Sequence, residues 1–304
     1  MSNIDQIKSN LSSDKLKILE KLKNKKITEN NLSITKRKNN SNMEVLSFQQ
    51  QRLWFLDQLV PNNPAYNVVM AFHTSGDVSL ELVEKCLNII IDRHEILRTN
   101  FKNVEGVGYQ EINENVSAKL IIEDLTKYSS GEQNNVFKEK SKEESKYVFD
   151  LSNELLIRMT AYVLGDNKYI FLLNVHHIII DGWSMGILFS ELLNIYSKLH
   201  KGEELKLKPL ELQYADYSAW QREYFKGKEL ERQLAYWKNN LGNKIYSTDL
   251  PTDKLRPPVQ NFKGGNFKLS LGKKLTEDIM LLSKNNNSTP YMVLMAALNI
   301  LLYK

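Results

Sequence analysis

The stretch LLIRMTAYVLGDNKYIFLLNVHHIII, Leu155 to Ile180, constrains this chain more than any other. Two runs of aliphatic, aromatic and β-branched residues flank Gly165-Asp166-Asn167. Apolar runs of strand length around such turn residues predict an antiparallel hairpin. Its second strand delivers His176 and His177, two of only five histidines in 304 residues, and Asp181-Gly182 follows. Around the hairpin, further strands and helices alternate irregularly, which predicts a layered α/β or α+β sandwich with a mixed sheet.

Upstream, Ser47 followed by Gln50 has the spacing of a capping box, opening a helix that runs to about Leu59 and stops before Pro61. YNVVMAFHTSG reads as a strand ending in a turn, and VGYQEI and AKLIIEDL as short strands. SLELVEKCLNIIIDRHEILRTNF places Leu80, Val83, Leu87, Ile90, Ile91 and Leu97 at helical spacing. Residues 126–149 are charged and of helical composition. Downstream of the histidines, SMGILFSELLNIYSKLH reads as a helix with Ser184 as N-cap and Leu188, Leu192, Ile195 and Leu199 on one face. Helices are also expected in LQYADYSAWQREYF, ELERQLAYWKNNLG and KKLTEDIMLLSKNN, and a strand in NFKLSL. The last segment, STPYMVLMAALNILLYK, predicts a helix capped by Thr289 with Pro290 in its first turn. That helix is apolar on nearly every face and so requires burial on most of them.

Residues 1–42 are rich in Lys, Asn and Ser and read as a leader and linker. Within them Leu16, Ile18, Leu19 and Leu22 suit a short amphipathic helix, with docking to another protein as a second reading. The net charge of +5 is spread along the chain, whereas a nucleic-acid surface needs basic residues clustered on one face. The single cysteine, Cys86, excludes an internal disulfide and reads as a buried core residue. No secretory h-region or membrane-length apolar run is expected, which makes the cytoplasm the default location.

Neighbouring side chains on a strand point to opposite faces. His176 and His177 therefore cannot form a metal pair on a regular strand: one must enter the packed layer while the other faces a cleft. The Gly182 turn lets Asp181 fold back under that site, and Trp183 is large enough to wall it. A histidine can take a proton near neutral pH. The chain offers no P-loop, no dinucleotide fingerprint, and no expected serine elbow or cysteine nucleophile. What remains is a base acting directly between two bound substrates.

These residues resemble the condensation domains of nonribosomal peptide synthetases. His176, His177, Asp181 and Gly182 match the family's His-His-x-x-x-Asp-Gly signature. LSFQQQRLWFLDQL (46–59), RHEILRTNF (93–101) and YADYSAW (214–220) resemble its first, second and fourth motifs, and LPTDKLRPPVQNFKGG its inter-lobe region. The resemblance covers about 43–304. It implies chloramphenicol acetyltransferase-like lobes of mixed sheet and flanking helices: an N-terminal lobe over 43–220, then an inter-lobe region and an incomplete second lobe over 221–304. It also implies an amide-forming reaction. An acyl or peptidyl thioester donor meets an aminoacyl acceptor, each carried on the phosphopantetheine of a carrier-protein domain, with an adenylation domain elsewhere in the full protein. No directly bound cofactor, metal, nucleic acid or membrane is implied.

In that family the residue at His177 is catalytic, orienting or deprotonating the amine, and the Gly182 amide helps hold the oxyanion. His176 and Asp181 are structural, with Asp181 paired to Arg93 or Arg98 from the second motif. The retained histidine pair argues against a heterocyclising subtype, and the first motif looks most like domains joining L-residue donors to L-residue acceptors. Two alternatives stand beside this reading: a coenzyme A-dependent acyltransferase of the same superfamily, and a non-catalytic module that docks carrier proteins.

Overall fold

A computed structural model describes residues 33–37, 41–242, 250–255, 257–258, 262, 264–265 and 267–303. The helix expected around Leu16 to Leu22 lies outside them. The described residues up to 242 belong to one compact unit and those from 250 onward to another.

The hairpin organises the first unit. Strands β6 (Ile157–Gly165) and β7 (Lys168–His176) pair antiparallel, with Gly165 opposite Lys168. Gly165, Asp166 and Asn167 have φ of 86°, 49° and 55°. The two loop residues, Asp166 and Asn167, thus take the left-handed conformation that matches the twist of flanking strands in a tight hairpin. The register shifts between Val163 and Gly165. β2 (Asn67–Ser75) joins β7 antiparallel and β5 (Ile121–Asp124) joins β6 parallel, giving the order β2-β7-β6-β5. The sheet is mixed, as expected.

From Ile170 to His176 every residue of β7 is buried, because both faces of the sheet are covered. On one face Phe171, Leu173 and Val175 join the main core with α2 (Leu80–Arg93) and α4 (Gly182–His200). On the other, Ile170 and Leu172 pack with Leu125 and Tyr162, backed by Val136 and Phe137 of α3 (Ser130–Glu144).

A second sheet, β1-β4-β3 (Met43–Val45, Val107–Ile112, Thr99–Val104), is antiparallel throughout. Here the sequence expectation needs correction. The apolar period from Leu80 holds only to Arg93; a 3-10 turn, Glu95–Arg98, follows and leads into β3. Leu97 is buried, but on that turn. β1 is only three residues long, too short for its period to announce it.

Helix α1 (Phe48–Leu59) begins with the capping box as expected: Ser47 Oγ accepts from Gln50 N–H, and Gln50 Oε1 accepts from Ser47 N–H. Its Trp54 and the nearby Leu46 leave no room beside β4, where a Cβ on Gly108 would sit 2.7 Å from Leu46 and 2.8 Å from Trp54. Helix α5 (Tyr214–Tyr224) lies against β1 and α1. It is held there by buried polar groups: Ser218 Oγ accepts from Gln110, and Gln221 Oε1 accepts from Phe48 N–H. α6 (Gly227–Leu241) ends at Gly242, whose φ of 66° suits a residue without Cβ.

In the second unit, α7 (Lys273–Asn285) and α8 (Pro290–Tyr303) pack on one another. Thr289 Oγ1 accepts from Met292 N–H, the expected cap. The strand expected in NFKLSL is absent from residues 267–271, which have no partner strand among the described residues.

Candidate active site

The hairpin fixes where the two histidines point. His176 N–H donates to the O of Leu156, the residue just before β6, and the ring is 4% exposed between Phe149 and Tyr66. Its Nδ1 accepts from Ile178 N–H, so the ring proton sits on Nε2. Burial, helped by the neighbouring His177, pushes its pKa down to about 4, and the ring is neutral. His177 N–H donates to Tyr66 O at 2.8 Å just past the strand end, and its side chain is exposed. The period-2 rule thus separates the rings: one inside, one outside.

His177 opens into a cleft of about 800 Å³. Aliphatic side chains make much of its wall, among them Ile90 of α2 and Leu188 of α4, and Tyr66, His94, Asp181 and Ser184 supply polar groups. Among the described residues, none hydrogen-bonds the His177 ring. Nor do they include a His/Cys/Asp/Glu cluster that could hold a metal.

Asp181, not Ser184, is the N-cap of α4. Its Oδ1 accepts from Ser184 N–H at 2.8 Å and from Ser184 Oγ–H at 2.6 Å. Those two bonds, with His177 nearby, hold its carboxyl below the usual range. The carboxylate is exposed, so water and the helix start satisfy it without a buried counter-ion.

The arginine partner expected for Asp181 is therefore not found among the described residues. Arg93 pairs instead with Glu191 (3.2 Å) and donates to Lys208 O, while Arg98 donates to Asn113 O and its Nε is buried without a partner. Trp183 does not wall the cleft: it is 83% exposed and stands outside the lining. Gly182 opens α4, and a Cβ there would meet nothing within 4 Å.

The letters Gly182-Trp183-Ser184-Met185-Gly186 also spell Gly-x-Ser-x-Gly, against the expectation of no such elbow. A nucleophile elbow needs the serine on a strained turn between strand and helix. Ser184 lies inside the first turn of α4, has no positive φ, and spends its hydroxyl on Asp181. The spelling carries no nucleophile here.

Sequence reasoning missed His94, the second imidazole of the cleft. Its Nε2 lies 2.7 Å from Glu191 Oε2. Burial pushes Glu191 up, but its bonds to His94 and Arg93 outweigh that and hold it below the ordinary carboxylate range. The only signal was its place in RHEILRTNF. Tyr66, Gln213 and Tyr214 also line the cleft, brought there by turns and by α5.

Comparison with known proteins agrees with this architecture. The chain is 42% identical over 259 residues to a linear gramicidin synthase of Brevibacillus parabrevis, covering 85% of this chain and 3% of that protein. It is 38% identical to malpibaldin synthetase of Mortierella alpina, covering 83% of this chain and 4% of the relative. The chain thus spans a small fraction of the curated relatives it matches. Its fold is shared with a holo four-domain nonribosomal peptide synthetase solved with AMP and glycine (TM-score 0.73, 23% identity, 86% of this chain and 19% of that one). The X-domain from teicoplanin biosynthesis shares it too (TM-score 0.77, 22% identity, 89% and 59%). The chloramphenicol acetyltransferase-like expectation for the fold holds. With the family model for the Condensation domain matching residues 40–304, the chain belongs to the condensation-domain family of nonribosomal peptide synthetases.

Proposed function

We propose that the cleft is the reaction site of an amide-forming domain. The donor is an acyl or peptidyl thioester and the acceptor an aminoacyl thioester, both presented on the phosphopantetheine arms of carrier domains. The acceptor amine attacks the donor carbonyl, the C–N bond forms, and the tetrahedral intermediate expels the donor thiolate as the C–S bond breaks. His177 takes the proton the amine loses and returns it to the leaving sulfur. Such base catalysis is worth roughly 100–10,000-fold. Gly182 contributes an amide at the positive end of α4, where developing negative charge is favoured. His176 and the Asp181–Ser184 cap hold the strand end and the helix start in place, and Arg93, through Glu191, steadies His94. Retention of both histidines supports plain amide formation over heterocyclisation, and the first motif supports L-residue donors and acceptors. Flanking carrier and adenylation domains and a cytoplasmic location belong to the same proposal.

The observation that carries this reading is the exposed His177 ring in the cleft beside a buried, neutral His176. The test is product formation between two loaded carrier proteins, by mass spectrometry, in the complete domain containing this chain. His177→Ala should lower the rate by roughly 100-fold or more while leaving the unfolding midpoint unchanged. Equal product from both proteins would end the base assignment. Turnover with free acyl-coenzyme A and no carrier protein would favour the acyltransferase alternative. A docking role is the second reading, favoured by one observation: the teicoplanin X-domain, which shares the fold, is solved in complex with OxyB. Carrier binding without product in the wild type would support it.

A further inference from the structure

We propose that Arg37 is the positioning residue of the cleft wall, a guanidinium that locks the Glu95–Arg98 turn to the start of α5. It lies upstream of the matched family span, in the segment read from sequence as linker. Arg37 Nη1 and Nη2 donate to the two carboxylate oxygens of Glu95 at 2.7 and 2.9 Å. Its backbone N–H donates to Asp216 Oδ1 at 2.9 Å, and Nη1 lies 3.9 Å from the same oxygen. Its Nε lies 3.8 Å from Glu44. All four side chains are largely buried, at 6–17% exposure.

Three carboxylates thus converge on one cation, from three separate elements. Glu44 sits on β1, Glu95 on the turn, and Asp216 on α5, where it also accepts from Gln213 N–H at 2.7 Å. The turn supplies Ile96 and Leu97 to the cleft, and α5 with its cap supplies Gln213, Tyr214 and Tyr217. Neutral bonds between Gln213 and the backbone of Arg93 and Glu95 assist. It is Arg37, however, that offsets the mutual repulsion of the acids. A bidentate guanidinium–carboxylate pair fixes orientation as well as distance. Removing the cation leaves buried carboxylates unpaired, which drives the elements apart. The bonding does not depend on the proposed chemistry; calling the cleft a reaction site does.

Hydrogen exchange on the full chain tests this, with labelling of the fully buried Cys86 thiol as the check on global integrity. Arg37→Gln should speed exchange about tenfold or more at residues 94–98 and 213–217, with α2 and Cys86 unaffected. Arg37→Lys keeps the charge but not the fork, and should speed exchange at the same two segments by a smaller amount, about threefold, with α2 and Cys86 unaffected. Arg37→Gln/Glu95→Gln removes one carboxylate with the cation and should recover at least part of the protection. The proposal is overturned if the two segments are unchanged in Arg37→Gln. It is also overturned if α2 and Cys86 loosen in step with them, which would mark a general stabiliser. Should Arg37→Gln fail to fold, Arg37→Lys decides: selective loosening at the two segments supports the lock, and uniform loosening rejects it. In the complete domain, acceptor KM should rise about tenfold while kcat moves less than about threefold in Arg37→Lys/Glu95→Gln, where both grip and register are weakened. Absence of product in the wild type would count against the reaction site alone, because the exchange result is read independently of chemistry.

Discussion

Helices α2 and α8 are both 14 residues long, and α8 is the more apolar, yet their fates differ. α2 carries Val83, Cys86, Leu87, Ile90 and Ile91 on one stripe, each at most 5% exposed, against the sheet and α4. α8 buries no residue fully; Leu301 is 70% and Tyr303 92% exposed. Apolar content alone does not create a core. Burial needs a stripe at one spacing and a complementary surface facing it, and α2 has both. Within the second unit α8 has α7 as its neighbour, which covers only part of its circumference.

The contrast can be broken most severely at Leu87. Leu87→Ala should cost about 2–5 kcal/mol in urea unfolding, because a fully buried side chain leaves a cavity. A cost below the cost of a surface change would mean the α2 stripe is not the core it looks to be.

The next effect is a pH dependence on the sheet against which α2 packs. His176 has a folded pKa of about 4 against 6.5 for the free side chain, so the folded state binds fewer protons between those values. Stability should therefore fall as pH drops from 6.5 to 4 and lose nothing further from this group below that. The loss is on the order of 3 kcal/mol. The difference between wild type and His176→Asn across that window isolates it. A flat difference would mean the ring is not buried as neutral imidazole.

Smaller still is the capping box of α1. Ser47→Ala should cost about 1 kcal/mol, read as a lower midpoint with unchanged slope. The smallest effect belongs to α8: Leu301→Ser should change stability by less than about 0.5 kcal/mol, and should raise solubility by shrinking an exposed apolar patch. A large loss there would show that α8 is buried in the protein's working state and would erase the contrast.

Much of this fold was legible because it is local. The hairpin turn at Asp166-Asn167, the Ser47/Gln50 box, the α2 stripe and the Thr289 cap each lie within a few residues of one another, where period and hydrogen-bonding chemistry act directly. The opposite orientations of His176 and His177 follow from strand geometry in the same way. The misreadings share the opposite property. An arginine partner for Asp181 presumes a buried carboxylate, but Asp181 caps α4 in the open. β1, β3 and the missing strand at 267–271 depended on whether a partner strand was available.

The sequence by itself determined the apolar stripe of α2, the caps of α1 and α8, the hairpin, and the fact that only one of two adjacent imidazoles could face outward. Only the tertiary structure decided that His94 enters the same cleft and that Arg37 clamps Glu44, Glu95 and Asp216. The reason is physical. Periodicity and capping depend on neighbours along the chain, whereas ion clusters and cleft walls bring together residues separated by as many as 179 positions, as Arg37 and Asp216 are. No local pattern specifies such a meeting.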